Sequence, residues 1–313
     1  VNARMLGYGV NDIRQMMNHS LAKALPAFYI FLLIGMVIAA LMKSGTIAAL
    51  IYFGLSWLTP ELFLPVGFVL CALMSLATGT SWGTVGTLGV VFMGMAGVMG
   101  VPLHWVAGMV VSGATFGDKM SPISDTTNLA AMSAEVDLYE HIQSMLYTTF
   151  PTFIVVFFIF MVVGMGFDSA ASTSGAVDDM KMALQSSFYL SPWVTLLPIL
   201  TLFTLSCLRY SPEVSMISAV FVAMFVALIW QPVTFSSFSQ ALWQNTPGQT
   251  GHETLDQLLG RGGLYAMAWT LILAIMAMAL GGVLHGAGFL KKIVGLLIAQ
   301  IKRAAHLVAT TIL

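Results

Sequence analysis

The sequence predicts an all-α integral membrane protein that crosses the bilayer several times, and three observations carry that expectation. Hydrophobic residues make up 58% of the 313 positions and charged residues only 8%, whereas roughly a quarter of a soluble domain is charged. The mean hydropathy is +0.90. Apolar runs approaching the roughly 20 residues a spanning helix needs recur along the whole chain. A net charge of −1 leaves no nucleic-acid footprint and no strongly acidic or basic partner surface. Cys71 and Cys207 both lie in apolar segments, which argues for packing rather than a disulfide or thiolate metal site. The chain opens at Val1 without a signal-peptide pattern, so its membrane segments are expected to direct their own insertion.

Taken in order, the expected spans are Ala24–Met42, Leu62–Ala77, Val85–Val101, Trp105–Gly117, Met145–Phe167, Leu190–Leu208, Val214–Trp230 and Leu264–His285. Ile47–Leu58 and Ile293–Ile301 are shorter and read as interfacial or tilted pieces. Trp57, Trp105, Trp193, Trp230 and Trp243 stand at or near segment ends, where indole rings anchor helices at the membrane surface. Asp168–Ser187 is polar and reads as a solvated linker.

An internal repeat is visible. Ile38-Ala-Ala-Leu-Met-Lys-Ser-Gly-Thr-Ile47 aligns with Gly281-Gly-Val-Leu-His-Gly-Ala-Gly-Phe-Leu290, each closing an apolar helix with a glycine turn. Arg4, Arg14 and Lys23 precede the first copy, while Lys291, Lys292, Lys302 and Arg303 follow the second. The positive-inside rule then orients the two copies oppositely, and inverted repeats are the common plan of secondary transporters. The expected organisation is a first repeat over 1–167 holding the ion-site motifs, a polar linker over 168–189, connecting helices and a loop over 190–262, and the start of a second repeat over 263–313. The register pairing Gly45 with Gly288 places the counterpart of the 79–128 region beyond Leu313, so the sequence reads as a fragment lacking most of its second repeat.

Two polar interruptions carry the candidate chemistry. Nothing from Leu62 to Gly117 is charged, and then Asp118, Lys119 and Asp125 follow within eight residues. Charges at bilayer depth cost at least ~2.5 kcal/mol and mark functional sites by default. Pro122 disfavours helical backbone at Ser121, so the incoming helix should end near Lys119 or Met120. Ser124 or Asp125 can cap a new one. The resulting broken helix would set free carbonyls opposite the hydroxyl and carboxylate oxygens of Ser124, Asp125, Thr126 and Thr127, a hard donor set suited to Na⁺. Upstream, Thr78-Gly-Thr-Ser-Trp-Gly-Thr84 reads as the tip of a re-entrant hairpin, offering Thr80 and Ser81, or alternatively as a helix with small residues for close packing. Gly79-Thr-Ser-Trp-Gly83 also satisfies the G-x-S-x-G pattern of serine hydrolases. Its strand context is missing, and an intramembrane hydrolase would leave Asp118–Asn128 unexplained. His19, His141 and His252 read as surface residues, His104 as an interfacial histidine, and Arg209 with Glu213 as an interfacial pair.

At these residues the chain resembles the NhaC family of sodium/proton antiporters, within the ion-transporter superfamily of inverted-repeat carriers. The resemblance is carried by Ala77-Thr-Gly-Thr-Ser-Trp-Gly-Thr84, by Ser112-Gly-Ala-Thr-Phe-Gly-Asp-Lys-Met-Ser-Pro-Ile-Ser-Asp-Thr-Thr-Asn-Leu-Ala130, and by Tyr139-Glu-His-Ile-Gln-Ser-Met-Leu-Tyr-Thr-Thr149. It implies a multi-pass helical secondary transporter of the cytoplasmic membrane, exchanging Na⁺ for H⁺ by alternating access. It implies no enzymatic activity, no cofactor beyond the transported ions, and no partner beyond Na⁺, H⁺ and lipid, with homo-oligomerisation left open. Asp125 is the expected Na⁺ and proton carboxylate and Asp118 the second candidate. Asp125, Thr126 and Asn128 are the expected Na⁺ ligands, with Thr80, Ser81, Ser124 and Thr127 adding neutral oxygens. The family also includes a sodium-coupled malate/lactate exchanger, so an organic-acid exchanger is the alternative.

Overall fold

The computed structural model describes residues 7–122, 124–133, 135–167, 174–208, 210–248, 250, 253–289 and 291–292. All regular structure among them is helical. The chain forms two compact units, one of residues 1–29 with 268–313 and one of residues 30–267. Five described helices are long and apolar enough to cross a bilayer: α1 (Val10–Lys43), α3 (Pro60–Thr78), α7 (Leu138–Gly164), α11 (Pro212–Trp230) and α14 (Leu264–Gly286). Shorter helices complete the fold: α2 (Thr46–Trp57), α4 (Ser81–Ala96), α5 (Leu103–Met120), α6 (Asp125–Ser133), α8 (Ser174–Ser187), α9 (Pro192–Thr195), α10 (Leu197–Cys207), α12 (Phe235–Trp243) and α13 (Glu253–Leu259).

Three expectations change. The start of the Ile47–Leu58 segment is more deeply buried than an interfacial or tilted piece suggests: Ile47, Ala48, Ala49 and Ile51 of α2 are fully buried, while Trp57 at its end is exposed. A twelve-residue helix is too short to span, and the face that carries Ile47, Ile51 and Leu55 is covered by the rest of the larger unit. The linker is not a solvated loop over 174–187. Val177, Met180 and Leu184 recur at helical spacing, and Met180 and Leu184 are fully buried while Asp178 and Asp179 are exposed. Residues 168–173 lie outside the described set. Leu190–Leu208 is two helices, because Pro198 follows the break at Leu196 and cannot supply the amide a continuous helix needs there. Ile293–Ile301, His252 and Arg209 also lie outside the described residues. Trp57, Trp193, Trp230 and Trp243 are exposed and Trp105 is partly buried.

The larger unit is organised around the contact of α3 with α5. Gly113 and Gly117 stand four apart, so they share one face of α5 and let two backbones touch. A Cβ added at Gly113 would lie 2.5 Å from the Phe68 carbonyl oxygen, and one at Gly117 would collide with the Ala72 carbonyl. Ser75 Oγ donates to the Ala114 carbonyl at 2.6 Å in the same seam. Gly113 meets Phe68 and Ala72 while Gly117 meets Ala72 and Leu76, so α3 and α5 run parallel. α7 packs on both helices, with Phe153 stacked on Phe68 at 4.6 Å and tilted against Phe116 at 4.3 Å between ring centroids.

A buried polar clamp fixes the turn between α1 and α2. Ser44 Oγ and Thr46 Oγ1 lie 2.8 Å apart, and Thr46 Oγ1 donates to the Thr195 carbonyl at 2.6 Å. Gln231, at the end of α11, donates from Nε2 to the carbonyls of Ser44 and Tyr189 and accepts the Tyr189 amide on Oε1. Buried polar groups are costly when left unpaired. Gln231→Leu is therefore expected to destabilise the protein by about 1–3 kcal/mol, read as a lowered unfolding midpoint in detergent, and Gln231→Glu does not restore it, because a carboxylate cannot donate to the Ser44 and Tyr189 carbonyls.

The turn glycines that aligned in the sequence have matching backbones. Gly45 has φ 76° and Gly288 φ 77°. Each amide donates three residues back, Gly45 to Met42 and Gly288 to His285, and each carbonyl accepts four residues on, from Ala49 and Lys292. Left-handed backbone of this kind favours glycine.

Candidate functional site

Both polar interruptions are helix breaks, and the parallel α3–α5 seam brings them to one level. α3 ends at Thr78, where Gly79 turns left-handed at φ 66° and donates to the Ser75 carbonyl. Thr80 is extended and its Oγ1 accepts the Gly83 amide at 3.3 Å, capping α4. α5 ends at Met120, with Ser121 extended at φ −82°, ψ 124°. α6 then starts at Asp125. Because Gly117 packs against Ala72, Ser75 and Leu76, the last turns of α3 and α5 lie side by side. Two carbonyl-bearing ends, each carrying about −0.5 charge, therefore sit together.

The chain returns from the first break as a hairpin. Phe63 on α3 meets Phe92 on α4 edge-to-face at 5.4 Å, so the second arm runs back alongside the first. That arm contains a π turn over Val85–Gly89. Thr84 Oγ1 donates to the Thr80 carbonyl at 3.2 Å and Thr87 Oγ1 to the Gly83 carbonyl at 2.7 Å. Such turns are frequent at functional sites, and nothing in the apolar pattern singled out Thr87. The signal was available as hydroxyls and glycines recurring through Gly83, Thr84, Gly86, Thr87 and Gly89.

At the second break the side chains satisfy the broken backbone. Thr127 is buried, and its Oγ1 lies 3.2 Å from the Asp118 carbonyl and 3.1 Å from that of Lys119, to which it donates. Asn128 Nδ2 donates to the Pro122 and Ser124 carbonyls at 2.9 and 2.8 Å, leaving Oδ1 as its remaining acceptor. Ser124 Oγ, fully buried, lies 2.9 Å from Thr126 Oγ1. Thr126 is exposed, Asp118 is half-buried and Lys119 is exposed. Thr80 and Ser81 are partly buried at the hairpin tip. Asp125 opens α6; its side chain lies outside the described set. The structure thus gathers Ser124, Thr126, Thr127 and Asn128 around one break and places Thr80 and Ser81 at the other. Among the described side chains at both breaks the polar atoms are mostly oxygens, the donor type that hard cations prefer.

Ser81 opens a helix, and no strand precedes it among the described residues, so the strand-turn-helix elbow of a serine hydrolase is not formed there. His104 is exposed. His141 differs from its expected surface role: it lies in the first turn of α7 and its Nε2 is buried with no hydrogen-bond partner among the described residues.

The sequence profile of the Na⁺/H⁺ antiporter family matches residues 3–127 and 113–313. The chain belongs to the Na⁺/H⁺ antiporter family. Among its relatives, it is 36% identical over 321 residues to the Na⁺/H⁺ antiporter NhaC of Alkalihalophilus pseudofirmus, covering 99% of this chain and 67% of that protein. It is 33% identical over 308 residues to the malate-2H⁺/Na⁺-lactate antiporter of Bacillus subtilis, covering 98% and 66%. It is also 33% identical over 281 residues to the NhaC of Bacillus subtilis, covering 90% and 62%. The chain thus spans about two thirds of the length of these antiporters. No solved structure gives a significant match. Within the family profile fall both helix breaks, and the overlap of its two matched stretches, 113–127, contains the α5–α6 break.

Proposed function

We propose that the protein is a secondary transporter that exchanges Na⁺ for H⁺ across the cytoplasmic membrane, with the ion bound between the two helix breaks. The observation that carries the reading is the side-by-side ending of α3 and α5, which concentrates carbonyl dipoles and hydroxyls in an otherwise apolar region. Asp125 is assigned the anionic ligand and proton carrier, with Asp118 in reserve. Asp125, Thr126 and Asn128 form the Na⁺ contact set, and Thr80, Ser81, Ser124 and Thr127 supply further neutral oxygens. Exchange follows from competition at one carboxylate. Protonation removes the anionic ligand, and bound Na⁺ favours the deprotonated form. Alternating access then requires one repeat to move against the other around the site. The matching left-handed turns at Gly45 and Gly288 support such a repeat.

The relative named as a malate-2H⁺/Na⁺-lactate antiporter motivates the second reading, an organic-acid exchanger. Proteoliposomes containing the protein separate the two. Na⁺ uptake driven by an outward proton gradient, unaffected by malate or lactate on either face, is the expected result. Na⁺ movement that occurs only when malate or lactate moves with it would move the assignment to the second reading.

A further inference from the structure

We infer that a groove in the smaller unit, between the start of α1 and the end of α14, binds the anionic headgroup of a membrane phospholipid. The groove is a cavity of about 700 Å³ whose walls carry Gln15, His19 and Lys23 from α1 and His285 from α14. His19 and Lys23 are four apart and so stand one above the other on the same helix face. The opposite wall is glycine. A Cβ at Gly282 would lie 2.5 Å from Ser20 Cβ, and one at Gly286 would lie 2.5 Å from Met16 Cγ. The two helices therefore touch along an antiparallel seam, and the cavity flanks a close contact rather than a loose gap.

Its depth follows from helix length. α1 has 34 residues, about 50 Å at ~1.5 Å per residue, against a hydrocarbon core of roughly 30 Å. Counting the ~20 spanning residues back from Lys43 reaches Lys23. The groove, lined from Tyr8 to Lys23, then stands at headgroup level, at the end where Arg14, Lys291 and Lys292 are exposed. Asp12 is the one carboxylate among the described lining residues, and its Oδ2 accepts the Gly9 amide at 2.9 Å at the start of α1. That contact sets its charge against the helix N-terminus. The other polar groups of the wall offer an ammonium, two imidazoles, an amide and hydroxyls, which suit a phosphate. Met16 and Met278 make the remainder apolar, which suits the glycerol and acyl stem of a lipid and offers nothing to a small soluble anion. Basic pockets between helices at a membrane surface recognise anionic headgroups in this way.

The test uses the full chain purified in detergent, with bound phosphatidylglycerol and phosphatidylcholine measured by native mass spectrometry. Phosphatidylglycerol is expected to be retained preferentially. Lys23→Gln should lower its retention about fivefold, Lys23→Arg should keep it, and the pair His19→Gln with His285→Gln should lower it further. Arg14→Gln, on the same helix but outside the groove, should change it by less than about twofold. Unfolding midpoints confirm that each variant is folded. Equal losses for Lys23→Gln and Arg14→Gln would mean diffuse surface attraction and overturn the site. Retention of both lipids alike would overturn it too, as would displacement of phosphatidylglycerol by millimolar inorganic phosphate, which would mark a free-anion site.

Discussion

Everted membrane vesicles carrying the Asp125→Asn protein are expected to keep an imposed pH gradient when Na⁺ is added, where wild-type vesicles dissipate it. Asparagine has nearly the size of aspartate and serves equally well at a helix start, so α6 should still form at this position. What is lost is the charge. A carboxylate near a cation is worth on the order of a few kcal/mol at the effective dielectric of a protein interior, so the exchange rate at low Na⁺ should fall more than about tenfold. Asp118→Asn should give a partial loss, because Asp118 is half-buried on the last turn of α5 and contributes its backbone carbonyl to Thr127 whatever its side chain. Wild-type exchange by Asp125→Asn would falsify the assignment of Asp125, and a full loss with Asp118→Asn alone would transfer the role.

Gly117→Leu is expected to abolish transport without touching any proposed ligand. The glycine face of α5 rests on the Ala72 and Ser75 region of α3, and even one methyl group there meets a backbone carbonyl that cannot yield. Overpacking of this kind costs ~1–3 kcal/mol when side chains can shift, and a bulkier residue must push the helices apart. Separation would take the ends of α3 and α5 off their common level and release the Ser75 to Ala114 hydrogen bond. The expected results are a lowered unfolding midpoint in detergent and loss of Na⁺/H⁺ exchange, with Gly117→Ala intermediate. Gly108→Ala serves as the comparison on the same helix. Nothing lies within 4 Å of its added Cβ, and alanine is preferred to glycine in a helix by about 0.8–1 kcal/mol, so stability should hold or rise. Equal midpoints and equal transport for Gly117→Leu and Gly108→Ala would remove the seam from the argument.

The two results depend on different kinds of information. Asp125 drew attention because a charge stands where an apolar helix should continue, and Pro122 marked the break on local grounds alone. The end of α5 at Met120 and the start of α6 at Asp125 follow from those local rules. The same rules failed for α8. Its polar residues suggested a loop, while three apolar residues at helical spacing, Val177, Met180 and Leu184, were enough to dock it against the buried core. α2 was underrated for the opposite reason. Length alone made it too short for a span, and burial by neighbouring helices is not written in any local pattern.

By itself, then, the sequence determined the membrane class, the family motifs, the helix break at Pro122 and the glycine turns that close two apolar helices, because each depends on composition or on backbone rules that act within a few residues. Only the tertiary structure decided that Gly113 and Gly117 seat α5 parallel to α3, so that breaks some forty residues apart in the chain end at one level. It also decided that Thr127 Oγ1 reaches back across the break to the Asp118 and Lys119 carbonyls. Those outcomes depend on which helix faces meet, and close packing across distant segments is set by the whole fold rather than by any one stretch of it.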